Sequence, residues 1–251
     1  MRLQCFLLLA WLTPAGFGAV CDAVHFAGGT YGFQLSGSPS ISGSAKPAVA
    51  VGRIVLDAEG GLSGYSSLNF GGWYLGNPVS GTYQFQQDCS LTFRLQDDSG
   101  NFQNFAGSLS VDERNGNFQQ TDAGANARGT LTKVPQTCGD PDFRPSYRFR
   151  LAGHGVGMET GADGAEVAVA GTIEASAGSL TVRAEDPSIP PTSGTYTVGS
   201  DCFVELEFPT PSAAAPGPTR KFRGILMNDG ADLRGIETDP ATAVTLTLNA
   251  R

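Results

Sequence analysis

Residues that could carry out chemistry are few in this sequence. Its two histidines, His25 and His154, lie far apart, and neither a Gly-x-Ser-x-Gly elbow nor a His-Glu-x-x-His zinc motif occurs. Glu205 and Glu207 alternate with apolar residues, which is typical of the solvent face of a strand. We therefore predict no catalytic residue, no metal site and no cofactor. A hydrolase whose two carboxylates are distant in sequence stays open as a third alternative.

The N-terminus has the pattern of a secretory signal. Arg2 precedes an apolar run over residues 5–12, and small residues follow over 15–19. We predict a signal peptide over residues 1–19 and a secreted or periplasmic protein. No other segment approaches the length that a membrane-spanning helix needs.

A twelve-residue phrase occurs twice in the chain. It reads PVSGTYQFQQDC from Pro78 to Cys89 and PTSGTYTVGSDC from Pro191 to Cys202, with seven identical positions. The match extends outward: YGFQLSG pairs with YRFRLAG, and VAVGRIVLDAEGGL from Val49 pairs with VAVAGTIEASAGSL from Val167. The sequence therefore predicts two copies of one domain, over residues 20–135 and 136–251.

Each copy has about eight segments with the alternation of β-strands. Tyr31, Phe33 and Leu35, for example, share one face of the first strand. In copy one the first, third and fifth connections are the longer ones, the third being 71–78, whereas the even-numbered connections are hairpin-short. Long loops at one end favour barrels with one open mouth. The predicted fold class is all-β, with two tandem eight-stranded antiparallel up-and-down β-barrels.

The cysteines that follow the predicted signal peptide fit this plan. Cys21 and Cys138 precede the first strand of each copy, and Cys89 and Cys202 lie in the fourth connection, so each pair falls at the closed end. An even number of cysteines in an exported chain indicates disulfides. We predict the bridges Cys21–Cys89 and Cys138–Cys202.

The repeat also resembles a known type of domain. Each copy opens with a Tyr-x-Phe-x-Leu-x-Gly strand, continues with Gly-Thr-Tyr and ends with a late Thr-Asp. These features look like paired β-barrel domains of uncharacterised function in exported bacterial proteins, and the general plan is similar to that of calycin (lipocalin-like) barrels. The resemblance implies a barrel fold and names no ligand.

Composition restricts the partners. The formal net charge is −8 and no lysine or arginine cluster occurs, which disfavours nucleic acid and anionic membranes, because both bind positive patches. Protein partners are not predicted.

Aromatic residues are the remaining candidates for a binding site. Trp73 and Tyr74 fall in the third connection of copy one, at the predicted mouth, and Tyr31 and Tyr83 fall on the inner face. His154 falls in the first long loop of copy two. We predict that these residues contact a small apolar or amphipathic ligand, in a non-enzymatic exported protein. The alternative is a structural or surface-interaction module with filled barrels.

Overall fold

The computed structural model describes residues 20–23, 26, 28–97, 100–158, 163–212 and 217–251. The predicted signal peptide and His25 lie outside this part of the chain. The described residues are all-β apart from a short 3₁₀ helix at Asp140–Asp142. No helix within the described ranges has both the length and the apolar character needed to cross a bilayer.

Barrel 1 is a closed sheet of eight antiparallel strands in the order β1-β10-β9-β8-β7-β6-β5-β4. Its strands are β1 (Gly29–Ser38), β4 (Ala48–Leu56), β5 (Gly61–Phe70), β6 (Trp73–Phe85), β7 (Ser90–Asp97), β8 (Phe102–Leu109), β9 (Asn115–Gln120) and β10 (Asn126–Lys133). A separate small hairpin, β2 (Ser40–Ile41) with β3 (Ser44–Ala45), lies in the connection between β1 and β4.

Barrel 2 repeats the same closed topology with β11 to β18 in sequence order. Its strands are β11 (Ser146–Val156), β12 (Asp163–Ser176), β13 (Ser179–Ala184), β14 (Thr192–Val198), β15 (Phe203–Pro209), β16 (Thr219–Met227), β17 (Asp232–Glu237) and β18 (Thr242–Ala250). The predicted fold class is confirmed. The predicted division between residues 135 and 136 falls in the segment that joins β10 to β11.

Both predicted disulfides are present, and each is at the end of its barrel that we call the base. Cys89 and Cys202 have positive φ values of 65° and 67°, and their carbonyls accept hydrogen bonds from Leu109 and Leu226, both at 3.0 Å. The repeated phrase therefore encodes the end of one strand, a tight turn and a covalent link to the segment that enters the barrel.

An aromatic side chain from the entry segment closes each base. The ring of Phe26 lies 4.6 Å from that of Phe85, and the ring of Phe143 lies 4.5 Å from that of Tyr196. The disulfides hold these entry segments against the barrel.

Two details predicted for copy one are wrong. The third connection of copy one is not a loop over 71–78, because Gly71 and Gly72 alone form the turn and β6 begins at Trp73. Their φ values of 57° and 85° allow this tight turn, and cross-strand pairing outweighs the loop preference of Gly76, Asn77 and Pro78.

The second error concerns the alignment of the copies. Gly52 pairs with Phe33, and Gly171 pairs with Phe149, so these two glycines are equivalent and the alignment from Val49 is shifted by one residue. A Cβ atom at Gly52 would lie 2.4 Å from the Phe33 ring, and one at Gly171 would lie 2.7 Å from the Phe149 ring. Each glycine makes room for the phenylalanine on the neighbouring strand.

The barrels pack side by side through β1, β4 and β5 of barrel 1 and β16 to β18 of barrel 2. Val49 and Val51 join the hydrophobic cluster of barrel 2. Near the bases, a Cβ atom at Gly32 would lie 2.8 Å from Met227, and near the opposite ends Asn69 bonds to the carbonyl of Asp239 at 3.1 Å. Base therefore lies beside base, and the two opposite ends, which we call the mouths, face the same side.

Candidate functional site

A cavity of about 110 Å³ lies in the mouth of barrel 1. Its inner part is lined by apolar side chains from the barrel strands, namely Phe33, Leu35, Ala50, Val79, Leu95 and Phe105. This volume is of the same order as that of an engineered apolar cavity in another protein, about 150 Å³, which binds benzene. The cavity is therefore large enough for a small ring or a short alkyl group.

One wall of the cavity extends past β7, because β6 begins at Trp73 and pairs with β7 only from Val79 onward. The end of β5 contributes Ser66, Leu68 and Phe70, and the start of β6 contributes Leu75 and Asn77. We call residues 66–77 the wall hairpin. Barrel 2 has no equivalent at this position, because β13 ends at Ala184 and β14 begins only at Thr192.

The β2–β3 hairpin covers part of the mouth. Pro39 and Ile41 line the cavity from this side. The buried amide of Gln120 holds the hairpin, because its Oε1 accepts a hydrogen bond from the Ser40 backbone nitrogen at 3.0 Å and its Nε2 donates to the Ser40 oxygen at 2.8 Å. Nε2 also donates to Asp122 at 2.7 Å.

Among the residues that the structure describes, no charged side chain lines the cavity. Its polar groups are the Ser66 hydroxyl and the carboxamides of Asn77 and Gln103. Among the described residues, no cluster of three His, Cys, Asp or Glu side chains could hold a metal ion. This arrangement suits retention of an apolar group with an uncharged hydrogen-bonding end.

The predicted aromatic pair lies at the rim of this cavity. Trp73 pairs with Phe70 across the hairpin, so both side chains are on the cavity face, and Trp73 is 56% exposed above it. Tyr74 is on the opposite face of β6, where its hydroxyl donates to Ser67 at 3.4 Å. Neither side chain is part of the cavity lining.

The two inner tyrosines lie far from the mouth. The Tyr31 hydroxyl donates to the Glu113 carbonyl at 3.0 Å, and the Tyr83 hydroxyl donates to the Asp57 carbonyl, both at the base of barrel 1. Burial raises the pKa of both hydroxyls, and in Tyr31 the neighbouring Glu113 raises it further. At these positions the tyrosines tie strands to base turns.

His154 belongs to barrel 2. It lies within β11 rather than in a loop, half-buried near the mouth, and pairs with Glu166 on β12 and with Ala243 on β18. The structure does not bring it together with the aromatic residues of barrel 1 in one cavity.

The mouth of barrel 2 is closed by an ion pair over a filled interior. Nη1 of Arg220 lies 2.9 Å from Oε2 of Glu237, whose side chain is 3% exposed. Burial raises the pKa of Glu237 to about 7, although the charge of Arg220 acts to lower it. Below the pair, Phe208 stacks on Phe222 with ring centres 4.9 Å apart.

Sequence reasoning missed most of the lining residues of the wall hairpin. The signal was present, since Ser66, Leu68 and Phe70 alternate with Ser67 and Asn69 as the inner and outer faces of a strand do. The predicted loop over 71–78 obscured it.

Comparison with known proteins finds a likeness of structure only. No protein-family model and no curated protein matches the sequence. The chain is similar to transferrin binding protein B from Haemophilus parasuis Hp5, with 9% identity over 89% of this chain and 76% of that one and a TM-score of 0.31. It is also similar to isotype 1 transferrin binding protein B from serogroup B Neisseria meningitidis, with 6% identity, the same coverage and a TM-score of 0.32.

A third solved structure is the Myxococcus xanthus hemagglutinin in complex with a mannopentaose. It matches with 14% identity over 88% of this chain and all of that one, at a TM-score of 0.17. Because these TM-scores are low, the ligands of the three proteins are not transferred to this chain.

Proposed function

We propose that this protein is an exported, non-enzymatic binding protein that holds a small apolar or amphipathic molecule in the mouth of barrel 1. The observation that carries the proposal is the cavity itself, which is apolar, uncharged and partly covered by a hairpin. The two disulfides support an extracytoplasmic location, because such bridges persist in oxidising compartments.

The lining restricts the chemical class of the ligand. A charged group inside the cavity would lose its hydration and find no opposite charge among the lining side chains. An alcohol, amide or similar uncharged group could bond to the carboxamide of Asn77 or Gln103. The bound part of the ligand is therefore uncharged, with an apolar body and at most a few hydrogen-bonding atoms, and Trp73 is placed to contact a part that projects from the mouth.

A titration with three matched probes tests the proposal. The ¹⁵N-labelled mature protein is titrated with benzyl alcohol, benzylamine and benzoate at pH 7, and the amide resonances are followed. We expect benzyl alcohol to shift resonances of β5, β6 and β8, and the two charged probes to bind at least about tenfold more weakly.

A cavity-filling variant locates the site. Leu95 is equivalent to Phe208 of barrel 2, because Leu95 pairs with Gln103 as Phe208 pairs with Arg220. Leu95→Phe should fill the cavity and weaken binding of benzyl alcohol about tenfold or more. Val111→Phe is the control, since Val111 is an exposed apolar residue at the base. Equal binding by Leu95→Phe and the wild type would contradict the proposal.

A second candidate function is a structural or surface-interaction module without a small ligand. The filled interior of barrel 2 favours it, since that barrel has the same topology and is closed by Arg220 and Glu237. Under this alternative no probe binds, and Leu95→Phe increases stability without any change in ligand binding.

A further inference from the structure

We infer that barrel 2 supports the binding site of barrel 1. It holds the cavity wall in place and does not itself contact the ligand. The inference rests on the proposed function and adds a positioning role for Asn69, a residue outside the cavity lining.

The wall hairpin has two faces with different partners. Ser66, Leu68 and Phe70 line the cavity, whereas the residues between them, Ser67 and Asn69, point outward and are 0% exposed. A residue on the outer face of a barrel strand can be fully buried only if something outside the barrel covers it. For Asn69 the cover includes the mouth of barrel 2.

Asn69 bonds directly to the neighbouring barrel. Its Nδ2 donates to the carbonyl of Asp239 at 3.1 Å and approaches Oγ1 of Thr242 at 3.3 Å. Thr242 in turn donates to the Asp239 carbonyl at 2.9 Å. One side chain of the wall is thus held by the turn that joins β17 to β18.

The tip of the wall hairpin is held in the same way. The Ala241 backbone nitrogen donates to the Gly72 oxygen at 2.8 Å. A Cβ atom at Gly72 would lie 3.1 Å from the Ala241 Cα and 3.3 Å from Met158. The close fit of the tip against barrel 2 therefore depends on glycine at this position, as does its φ of +85°.

The supporting turn in barrel 2 is itself held by hydrogen bonds. Oδ2 of Asp239 accepts a hydrogen bond from the Lys221 backbone nitrogen at 2.8 Å, and the Thr238 nitrogen donates to the Lys221 carbonyl at the same distance. The equivalent Thr121-Asp122 of barrel 1 bonds in the same way, because the Asn104 backbone nitrogen donates to Oδ2 of Asp122 at 2.9 Å. In barrel 2 this motif also presents the carbonyl that holds Asn69.

The consequence is that affinity for the ligand depends on the junction between the barrels. A wall that moves changes the spacing of Leu68, Phe70 and Leu75 around the ligand. An apolar cavity of this size is sensitive to such shifts, because a gap of less than 1 Å forfeits a large part of each van der Waals contact.

The test compares two interface variants. Asn69→Ala removes both hydrogen bonds from the wall hairpin to barrel 2. Arg53→Met is the control: it removes the 2.9 Å hydrogen bond from Arg53 to the Gln136 carbonyl, and Arg53 lies at a strand position away from the cavity. Benzyl alcohol affinity, hydrogen exchange of amides in residues 66–77 and the free energy of unfolding are measured for each. For Asn69→Ala we expect Kd to rise about five- to tenfold and exchange in the wall to accelerate. Arg53→Met should leave both near wild type.

Thr242→Val provides a second approach from the other barrel. It removes the Thr242 hydroxyl and leaves β5 unchanged, so it should raise Kd in the same direction, about twofold to fivefold, even if Asn69→Ala fails to fold. A wild-type Kd in a folded Asn69→Ala or in Thr242→Val overturns the inference while the proposed function stands. A wild-type protein that binds no probe overturns the proposed function, and this inference with it.

Discussion

The two barrels are alike at the base and different at the mouth. At the base, each has a disulfide, a cysteine with positive φ and an aromatic ring from the entry segment. At the mouth, barrel 1 has an uncharged cavity and barrel 2 has a buried ion pair over stacked rings. The repeat was therefore kept where it closes the barrel and changed where a ligand could enter.

A few equivalent positions account for this difference. Leu35 pairs with Ala50 in barrel 1, and Leu151 pairs with Val169 in barrel 2. Together with Leu95 in place of Phe208, this leaves less side-chain volume at the mouth of barrel 1, whereas deeper in that barrel Phe118 is at the position of Gly235 in barrel 2. An eight-stranded barrel is just wide enough to be filled by side chains or to hold one small ligand, so small losses of volume decide between the two.

The polar residues at the mouths differ in the same way. Gln120 and Glu237 are equivalent, because they pair with Phe105 and Phe222. Gln120 bonds to the β2–β3 hairpin, whereas Glu237 bonds to Arg220. Arg220 is likewise equivalent to Gln103, so two exchanges of an amide for a charged group distinguish the mouth closed by charges from the mouth covered by a hairpin.

Removing a disulfide should have the largest effect on the shared base. The bridges close segments with sequence separations of 68 and 64 residues, so each should contribute about 4 kcal/mol in the chain-entropy model. We expect Cys21→Ala with Cys89→Ala, and Cys138→Ala with Cys202→Ala, to destabilise by similar amounts in urea unfolding. A large inequality would show that the bases are not energetically equivalent.

Truncation at the equivalent mouth positions 95 and 208 should lower the free energy of unfolding by different amounts in the two barrels. Phe208→Ala should cost about 3–4 kcal/mol, because it leaves a void in a filled core. Leu95→Ala should cost less, about 1–2 kcal/mol, because Leu95 is only partly buried and borders an existing cavity. Equal losses in thermal or urea unfolding would contradict the contrast between filled and open interiors.

The pH dependence of the unfolding free energy should report the titration of Glu237 in the ion pair of barrel 2. Burial raises the pKa of Glu237 from 4.5 to about 7, so the folded protein retains a proton that the unfolded chain releases in this range. The stabilisation that comes from the protonated Glu237 is fully present below pH 4.5 and is lost as the pH rises through 7. Glu237→Gln, which copies Gln120, should remove this decline, about 3 kcal/mol between pH 4 and pH 8.

Unfolding free energies at several pH values check this prediction. The Leu95→Ala variant is the control, since it retains Glu237 and should keep the wild-type slope. A Glu237→Gln profile that parallels the wild type would show that Glu237 does not titrate in this range.

Much of the fold could be predicted from the sequence for a physical reason. The period of two along a strand and the position of each cysteine before or between strands are local patterns, so the two barrels and the pairings of Cys21 with Cys89 and Cys138 with Cys202 could be read directly. The repeated phrase had the same advantage, because the turn that places Cys89 depends only on its neighbours.

The candidate site was largely beyond such reasoning. Trp73 was expected in a loop and lies at the start of a strand, while Tyr31 and Tyr83 share the inner face with the cavity residues but lie at its opposite end. Alternation assigns a residue to a face, whereas its height in the barrel depends on register and strand length, which pairing with distant strands decides.

The sequence by itself determined the strand content, the duplication and the disulfide pairing, because alternation and turn residues mark the strands and the place of each cysteine relative to those strands follows from them. Only the tertiary structure decided that barrel 1 is open and barrel 2 is filled, and that Asn69 reaches Asp239. Whether an interior is empty depends on the summed volume of side chains from eight strands, and a contact such as that of Asn69 depends on how two barrels pack. Neither quantity is a property of any short stretch of the chain.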